Sequence, residues 1–282
     1  MESLAIVIPT LNEERAIGDV IERIPVSDLL KDGFETTPYV VDGHSTDATR
    51  EIATRKGAHI IFDEGKGKGA AVRAAFGVVD ADYVIMVDGD DTYPIDVAIE
   101  MVRLLQTYDV VIGSRLKGFL EPGAMTRLNI LGNTLLTLLA RALFRVNVTD
   151  VCTGLWGYRR DAIRRLELEA CGFEIEADMY SECVRNGLSI TEIPIRYRAR
   201  ADQAKLSSLR DGLRIGSFLC RKRLMARTSN PAANSQPDRA GTPDGRHVAL
   251  VQQGRAVING QQKQIHSSEL SDERWSDPQA AD

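Results

Sequence analysis

The chain lacks the residue patterns of a stapled or membrane-spanning protein. Its four cysteines, Cys152, Cys171, Cys183 and Cys220, show no C-x-x-C spacing. That excludes the disulfide framework of a small secreted domain and reads as reduced thiols of a cytosolic protein. The four histidines are scattered without zinc-ligand spacing. The longest uncharged stretch, LNILGNTLLTLLA at 128–140 between Arg127 and Arg141, falls short of the roughly 20 apolar residues a spanning helix needs. The opening MESLAIVIPT has no basic head and runs directly into a strand pattern, so no signal peptide is expected. An excess of positive charge is missing too. The net charge is −5, which argues against wholesale nucleic-acid binding, although the sign changes along the chain. No internal repeat is visible.

What remains is an ordinary globular composition. Over 282 residues, 43% are hydrophobic and 27% charged, enough for one large α/β domain with additions. The character shifts near residue 226, where RTSNPAANSQPDRAGTPDGR is rich in Pro, Asn, Ser and Gly. The expected division is a domain over 1–226 and a linker and disordered tail over 227–282, with at most a short hairpin in RHVALVQQGRAVINGQQ.

The most informative segment is VIMVDGDDTYP at 84–94, a buried-type strand that breaks into Asp88, Asp90 and Asp91. Carboxylates this close repel one another unless a cation lies between them. Hard ions such as Mg²⁺ and Mn²⁺ take such oxygen ligands, usually one or two carboxylates plus substrate phosphates. Taken alone, such a segment is more often a solvated turn. Three earlier segments repeat its design. LAIVIPTLNEE, PYVVDGHSTDATREIA and HIIFDEGKGKGAAVRAAF each pair an apolar strand with a polar turn and a helical stretch or acidic run. That alternation predicts a mainly parallel, doubly wound α/β sheet with its loops gathered at one edge, where open α/β folds bind ligands. GKGKGAAVRAAF lacks the P-loop spacing. Its glycines permit close backbone approach and its lysines suit diphosphate charge, Lys68 best because it lies nearest the helix start.

PTLNE, DGHSTD, GKGKGAA and DGDDTYP, in this order and spacing, resemble the family-two inverting glycosyltransferases of the GT-A fold. The resemblance continues through GSR at 113–115, GAMTRLN at 123–129, TGLWGYRRD at 153–161, GFEIEADM at 172–179, and EIPIRYRAR followed by KLSSLRDG. These later blocks resemble polyprenyl-phosphate glycosyltransferases of the dolichyl-phosphate mannose synthase type, especially archaeal dolichyl-phosphate hexosyltransferases. The match covers roughly residues 3–225.

The resemblance implies a metal-dependent transfer of a hexose from a UDP- or GDP-linked sugar to dolichyl or polyprenyl phosphate, of the kind that serves protein N-glycosylation. It places Pro9 and Glu13 in the nucleotide pocket and Asp42 on the base, the alternative for Asp42 being a helix N-terminal or turn residue. Asp88 and Asp90 hold Mg²⁺ or Mn²⁺ against the donor diphosphate. Arg115 and Arg127 bind the acceptor phosphate; an anionic acceptor of this kind needs cations to place it rather than a strong base. Arg200 and Lys205 close over the diphosphate, and Glu176 contacts a sugar hydroxyl or acts as a weak base. The chain departs from the family pattern at Thr92 and in ADQA, which lacks the usual glycine.

With no spanning helix, the resemblance requires a peripheral enzyme at the cytoplasmic face of the cell membrane. Two stretches suit that surface: 126–145, apolar with terminal arginines, and 209–227, basic and amphipathic. The first reads equally as a core or dimer helix; the alternative for the second is a truncated anchor region or a solvated basic face. The rival expectations are a family-two enzyme acting on a sugar or protein hydroxyl, a sugar-nucleotide pyrophosphorylase, whose N-terminal signature is absent, and a non-catalytic sugar-binding scaffold.

Overall fold

In the computed structural model the residues described are 1–63, 65, 67–200 and 208–228. The expectations for Lys205, for the ADQA loop and for the tail, including its hairpin, lie outside them. The chain runs β1 (Glu2–Thr10), α1 (Ile17–Glu22), α2 (Val26–Lys31), β2 (Phe34–Asp42), α3 (Thr49–Arg55), β3 (His59–Phe62), α4 (Lys68–Val78) and β4 (Tyr83–Met86). It continues through α5 (Ala98–Leu105), β5 (Val110–Leu120), α6 (Arg127–Phe144), β6 (Trp156–Arg159), α7 (Arg160–Ile163), α8 (Ile175–Arg185), β7 (Ile190–Tyr197) and α9 (Ser208–Thr228). All of it belongs to one compact unit, Met1–Arg246; the other unit, His247–Asp282, lies outside the described residues.

The seven strands form one sheet in the order β3-β2-β1-β4-β6-β5-β7. β1 pairs in parallel with β2 and β4, and β2 with β3. β6 enters antiparallel between β4 and β5, and β7 closes the sheet parallel to β5. The sheet is therefore mixed and mainly parallel, as expected. β1 explains why its residues read as a continuous apolar run. Leu4, Ile6 and Ile8 belong to a core with Ile17, Val20, Leu29 and Phe34 on one face. Ala5 and Val7 pack on the other with Ala71 and Ala75 of α4. Both faces are covered, as parallel strands require.

The second half of the sheet is roofed differently. Trp156 and Tyr158 of β6 join a core with Ala140 of α6, Tyr180 and Cys183 of α8, and Phe218 and Leu219 of α9. α9 lies beside α6, with Leu136 and Leu139 over Gly216.

The turns leaving β1, β2 and β4 each contain a non-glycine residue in the left-handed region: Asn12 (φ 51°), His44 (φ 62°) and Asp91 (φ 57°). Asn, Asp and His tolerate that conformation better than most residues. It lets the chain turn sharply at the carboxyl edge of three adjacent strands, and there the polar residues gather.

Candidate active site

The strand ends fix the site. Asp42 is the last residue of β2 and pairs in register with Thr10, the last of β1. The Asp42 carboxylate is fully buried, accepts from Ser45 N at 3.0 Å and has Arg50 Nε at 3.8 Å. The loop after Pro9 is tied to α3, because Thr49 Oγ1 accepts from Glu13 N at 2.9 Å. One turn further along the edge, Glu13 Oε1 meets Arg200 Nη2 at 2.6 Å.

Arg200 also reaches the acidic turn, where its Nη1 lies 3.0 Å from Asp90 Oδ2. Thr92 holds the other Asp90 oxygen, donating from Oγ1 at 2.6 Å and from its backbone N at 3.2 Å. The departure from the family pattern at Thr92 thus places a hydroxyl on Asp90 itself. Asp91 turns away to Arg23 and to Arg198, the latter at 3.0 Å.

Asp88 faces the glycine-lysine loop. Lys68 Nζ lies 2.6 Å from Asp88 Oδ1 and 2.5 Å from Glu176 Oε1. Glu176 stands in the first turn of α8, whose residues Ile175–Cys183 are all buried. Burial raises the carboxyls of Asp88 and Glu176 above their ordinary range, and Lys68 opposes that rise in both. Burial alone would lower the Lys68 ammonium, but its two carboxylate neighbours raise it well above its usual value. A Cβ added to Gly154 would collide with the Asp88 carboxylate, and Gly154 N donates to Tyr93 Oη at 2.6 Å. The bare backbone of the loop before β6 therefore forms a wall of the acidic turn.

Arg115 differs from expectation. It lies inside the protein, bidentate to Asp150 through Nε and Nη2 at 2.8 Å each, with Nη2 also donating to Cys152 O at 2.7 Å. Its guanidinium lies 5.3 Å from the ring centre of Tyr197 and 6.0 Å from that of Tyr93. Asp150 takes a further bond from Asn133 Nδ2 of α6 at 2.7 Å. This is a buried ion pair joining β5, α6 and the loop before β6, whereas Arg127 is exposed at the first turn of α6. The pattern did not single out Asp150; its one signal was an acid flanked by the apolar Val148 and Val151.

The basic face expected on α9 is also corrected. Lys222 is largely buried and lies 2.7 Å from Asp178 and 2.9 Å from Glu182, while Arg214 pairs with Glu174 at 2.8 Å and Arg221 with Glu169 at 3.1 Å. Lys222 thus faces inward onto α8, whereas Arg214 and Arg221 stay exposed but are each tied to an acid of α8 or its approach. The apolar surface is on α6: Leu128, Leu131, Leu135 and Leu138 are 51%, 56%, 57% and 51% exposed and fall on one helical stripe. No helix among the described residues is long and apolar enough to cross a membrane.

The residues brought together are Glu13, Lys68, Asp88, Asp90, Glu176 and Arg200. Among the described residues no three His, Cys, Asp or Glu side chains converge as a self-sufficient metal cluster. Two carboxylates balanced by two cations can exchange those partners for a divalent ion and the anionic oxygens of a diphosphate, so the donor set fits an ion shared with a substrate.

Comparison with known proteins identifies the family and the fold. The family profile described as glycosyl transferase family 2 matches residues 5–167. Glycosyltransferase AglJ of Haloferax volcanii is 38% identical over 234 residues, covering 82% of this chain and 74% of that protein. The dolichyl-phosphate hexose transferase of the same organism is 38% identical over 220 residues, 77% of this chain and 92% of that protein. Among solved structures, glucosyl-3-phosphoglycerate synthase from Mycobacterium tuberculosis, in complex with Mn²⁺, uridine diphosphate and glucosyl-3-phosphoglycerate, superposes with a TM-score of 0.60. It is 24% identical, with 80% of each chain covered, which shows the shared fold.

Proposed function

This chain belongs to glycosyl transferase family 2, and we propose that within it the enzyme transfers a hexose, with inversion, from a nucleotide sugar to dolichyl or another polyprenyl phosphate. The observation that carries this reading is the exchange-ready charge set at the sheet edge: Asp88 and Asp90 with Lys68 and Arg200 as counter-cations. A donor diphosphate takes up Lys68 and Arg200, and Asp88 and Asp90 are left to hold Mg²⁺ or Mn²⁺. When bound, the ion offsets the charge that develops on the departing nucleoside diphosphate. Pro9, Glu13 and Asp42 line the nucleoside end, and Lys205 is assigned with Arg200 to the donor diphosphate.

The acceptor reading rests on two supports. One is the 38% identity to a protein named dolichyl-phosphate hexose transferase. The other is the state of Glu176, buried against Lys68 rather than poised as a base. A phosphate acceptor is already anionic at neutral pH and needs placing rather than deprotonating. We assign that placing to Arg127. Arg115 acts through Asp150, holding the loop whose Gly154 backs Asp88. The leucine stripe of α6 rests on the cytoplasmic face of the membrane, where a long-chain acceptor resides, and residues 1–226 carry the catalytic unit.

The test is a panel of UDP- and GDP-linked hexoses, each incubated with dolichyl phosphate and Mn²⁺ or Mg²⁺, followed by extraction of labelled lipid. At least one donor labels the lipid. Label appearing only on a soluble saccharide or peptide acceptor would transfer the assignment to a hydroxyl-acting member of the family.

A further inference from the structure

We infer that Lys222, on α9 and outside the donor site, is a positioning residue that sets the place of Lys68 through Asp178 and the loop 169–172. The inference rests on the reading of Lys68 as a diphosphate ligand only for its effect on donor binding. The geometry stands apart from it. α8 buries two carboxylates one turn apart, Asp178 and Glu182, and Lys222 Nζ lies within 2.9 Å of both. Like charges at this spacing repel, and buried charges need a partner. Lys222 supplies that partner to Asp178 from α9 and shares Glu182 with Arg185, whose Nη2 lies 2.6 Å from it.

The balanced Asp178 carboxylate does a second job. Its Oδ2 accepts from Glu169 N at 2.7 Å and Ala170 N at 2.8 Å. This pins the loop that leads into α8. The loop in turn seats the start of α4, because Cys171 O accepts from Ala70 N at 3.2 Å. Both glycines that flank Lys68 press on the same loop. A Cβ on Gly69 would lie 2.5 Å from Ala170 O, and one on Gly67 3.0 Å from Cys171 O. Only bare backbone permits that approach. Lys68 is therefore held from both sides by a loop whose anchor is Asp178, and Glu176, its carboxylate partner, lies two residues before Asp178 on the same buried helix. A change at α9 reaches the acidic turn by this route.

The experiment compares the full-length enzyme with Lys222→Met. Amide hydrogen exchange is followed at residues 68–72 and 169–172, with β1 and β4 as internal reference. Calorimetry follows the binding of uridine diphosphate and guanosine diphosphate with Mn²⁺. Exchange in the two segments rises by about tenfold while the reference strands stay protected, and affinity for the bound diphosphate falls by about tenfold. In a Lys68→Met background the same change at Lys222 brings no further loss, because both act through one group. Unchanged exchange at 68–72 in the folded variant overturns the inference. So does equal loss of protection across the whole sheet, the mark of a merely structural role. If Lys222→Met does not fold, Lys222→Gln, which removes the charge and shortens the side chain but stays polar, is measured by the same criteria. If the exchange pattern appears but Lys68→Met binds both diphosphates as the wild type does, the coupling stands and the donor role of Lys68 falls.

Discussion

Lys68 Nζ lies 2.6 Å from Asp88 Oδ1, which makes the glycine-lysine loop and the acidic turn one electrostatic unit. Glu176 completes it at 2.5 Å. The lysine is a single cation between two carboxylates whose burial already raises them. Among the described residues no other cation lies within ion-pair distance of either carboxylate.

Lys68→Met therefore carries a pH signature. Removing the cation leaves burial unopposed, and the carboxyls of Asp88 and Glu176 rise further above their unfolded values. Between the unfolded and the raised folded values the folded variant binds more protons than the unfolded chain, so its stability grows as pH falls through that window. In the wild type, Lys68 itself is raised in the folded state, so its stabilising contribution is complete below its unfolded value and is lost only in strong alkali. Thermal melts in EDTA at about pH 7 and about pH 5 check the sign. The gap in Tm between variant and wild type narrows at the lower pH. A constant gap would locate the damage elsewhere.

Asp88→Asn and Asp90→Asn separate the chemistry from the fold. Each keeps the size of the side chain and removes a ligand charge. Turnover falls by about a hundredfold or more, close to 3 kcal/mol of transition-state stabilisation. EDTA abolishes the wild-type activity, and Mn²⁺ or Mg²⁺ restores it. Full turnover in EDTA would contradict the metal assignment.

The two arginines of the acceptor expectation part company. Removing one member of a buried ion pair costs about 3–5 kcal/mol, so Arg115→Met loses much of the fold's stability, as Asp150→Asn does. Arg127→Ala leaves Tm unchanged and raises KM for dolichyl phosphate. An Arg115→Met protein that melts like the wild type but binds the lipid poorly would return Arg115 to the acceptor.

The strands β1 to β4 and their polar turns were legible because parallel strands buried on both faces leave continuous apolar runs that end abruptly at charged turns. Asp42, Asp88 and Asp90 all fall at such ends. The antiparallel entry of β6 between β4 and β5 was not legible, since nothing local in WGYR encodes which neighbours it takes. The same holds for side chains whose role depends on a distant partner. Arg115 and Asp150 are 35 positions apart, and Lys222 and Asp178 meet only when α9 lies on α8. A cation in a basic-looking helix gives no sign in sequence of whether it faces lipid or an acid beneath it.

That distinction changes what membrane binding should look like. Arg214, Arg221 and Lys222 are paired with acids of the protein, so attraction to anionic headgroups is weaker than the charge of α9 suggests. The leucine stripe of α6 has no such internal partner for its outer half. Burying what remains exposed of each leucine contributes roughly 1 kcal/mol. Changing Leu131, Leu135 and Leu138 together to Ser should then weaken liposome binding by about 3 kcal/mol, on the order of a hundredfold. Flotation with anionic and neutral vesicles at low and high salt measures it. The wild type floats with both compositions and is released only slightly by salt, because area rather than charge drives the insertion. The triple variant stays at the bottom of the gradient while still binding a nucleoside diphosphate. Strong release of the wild type by salt would shift the interaction back to exposed cations. A triple variant that floats like the wild type would remove α6 from the membrane surface altogether.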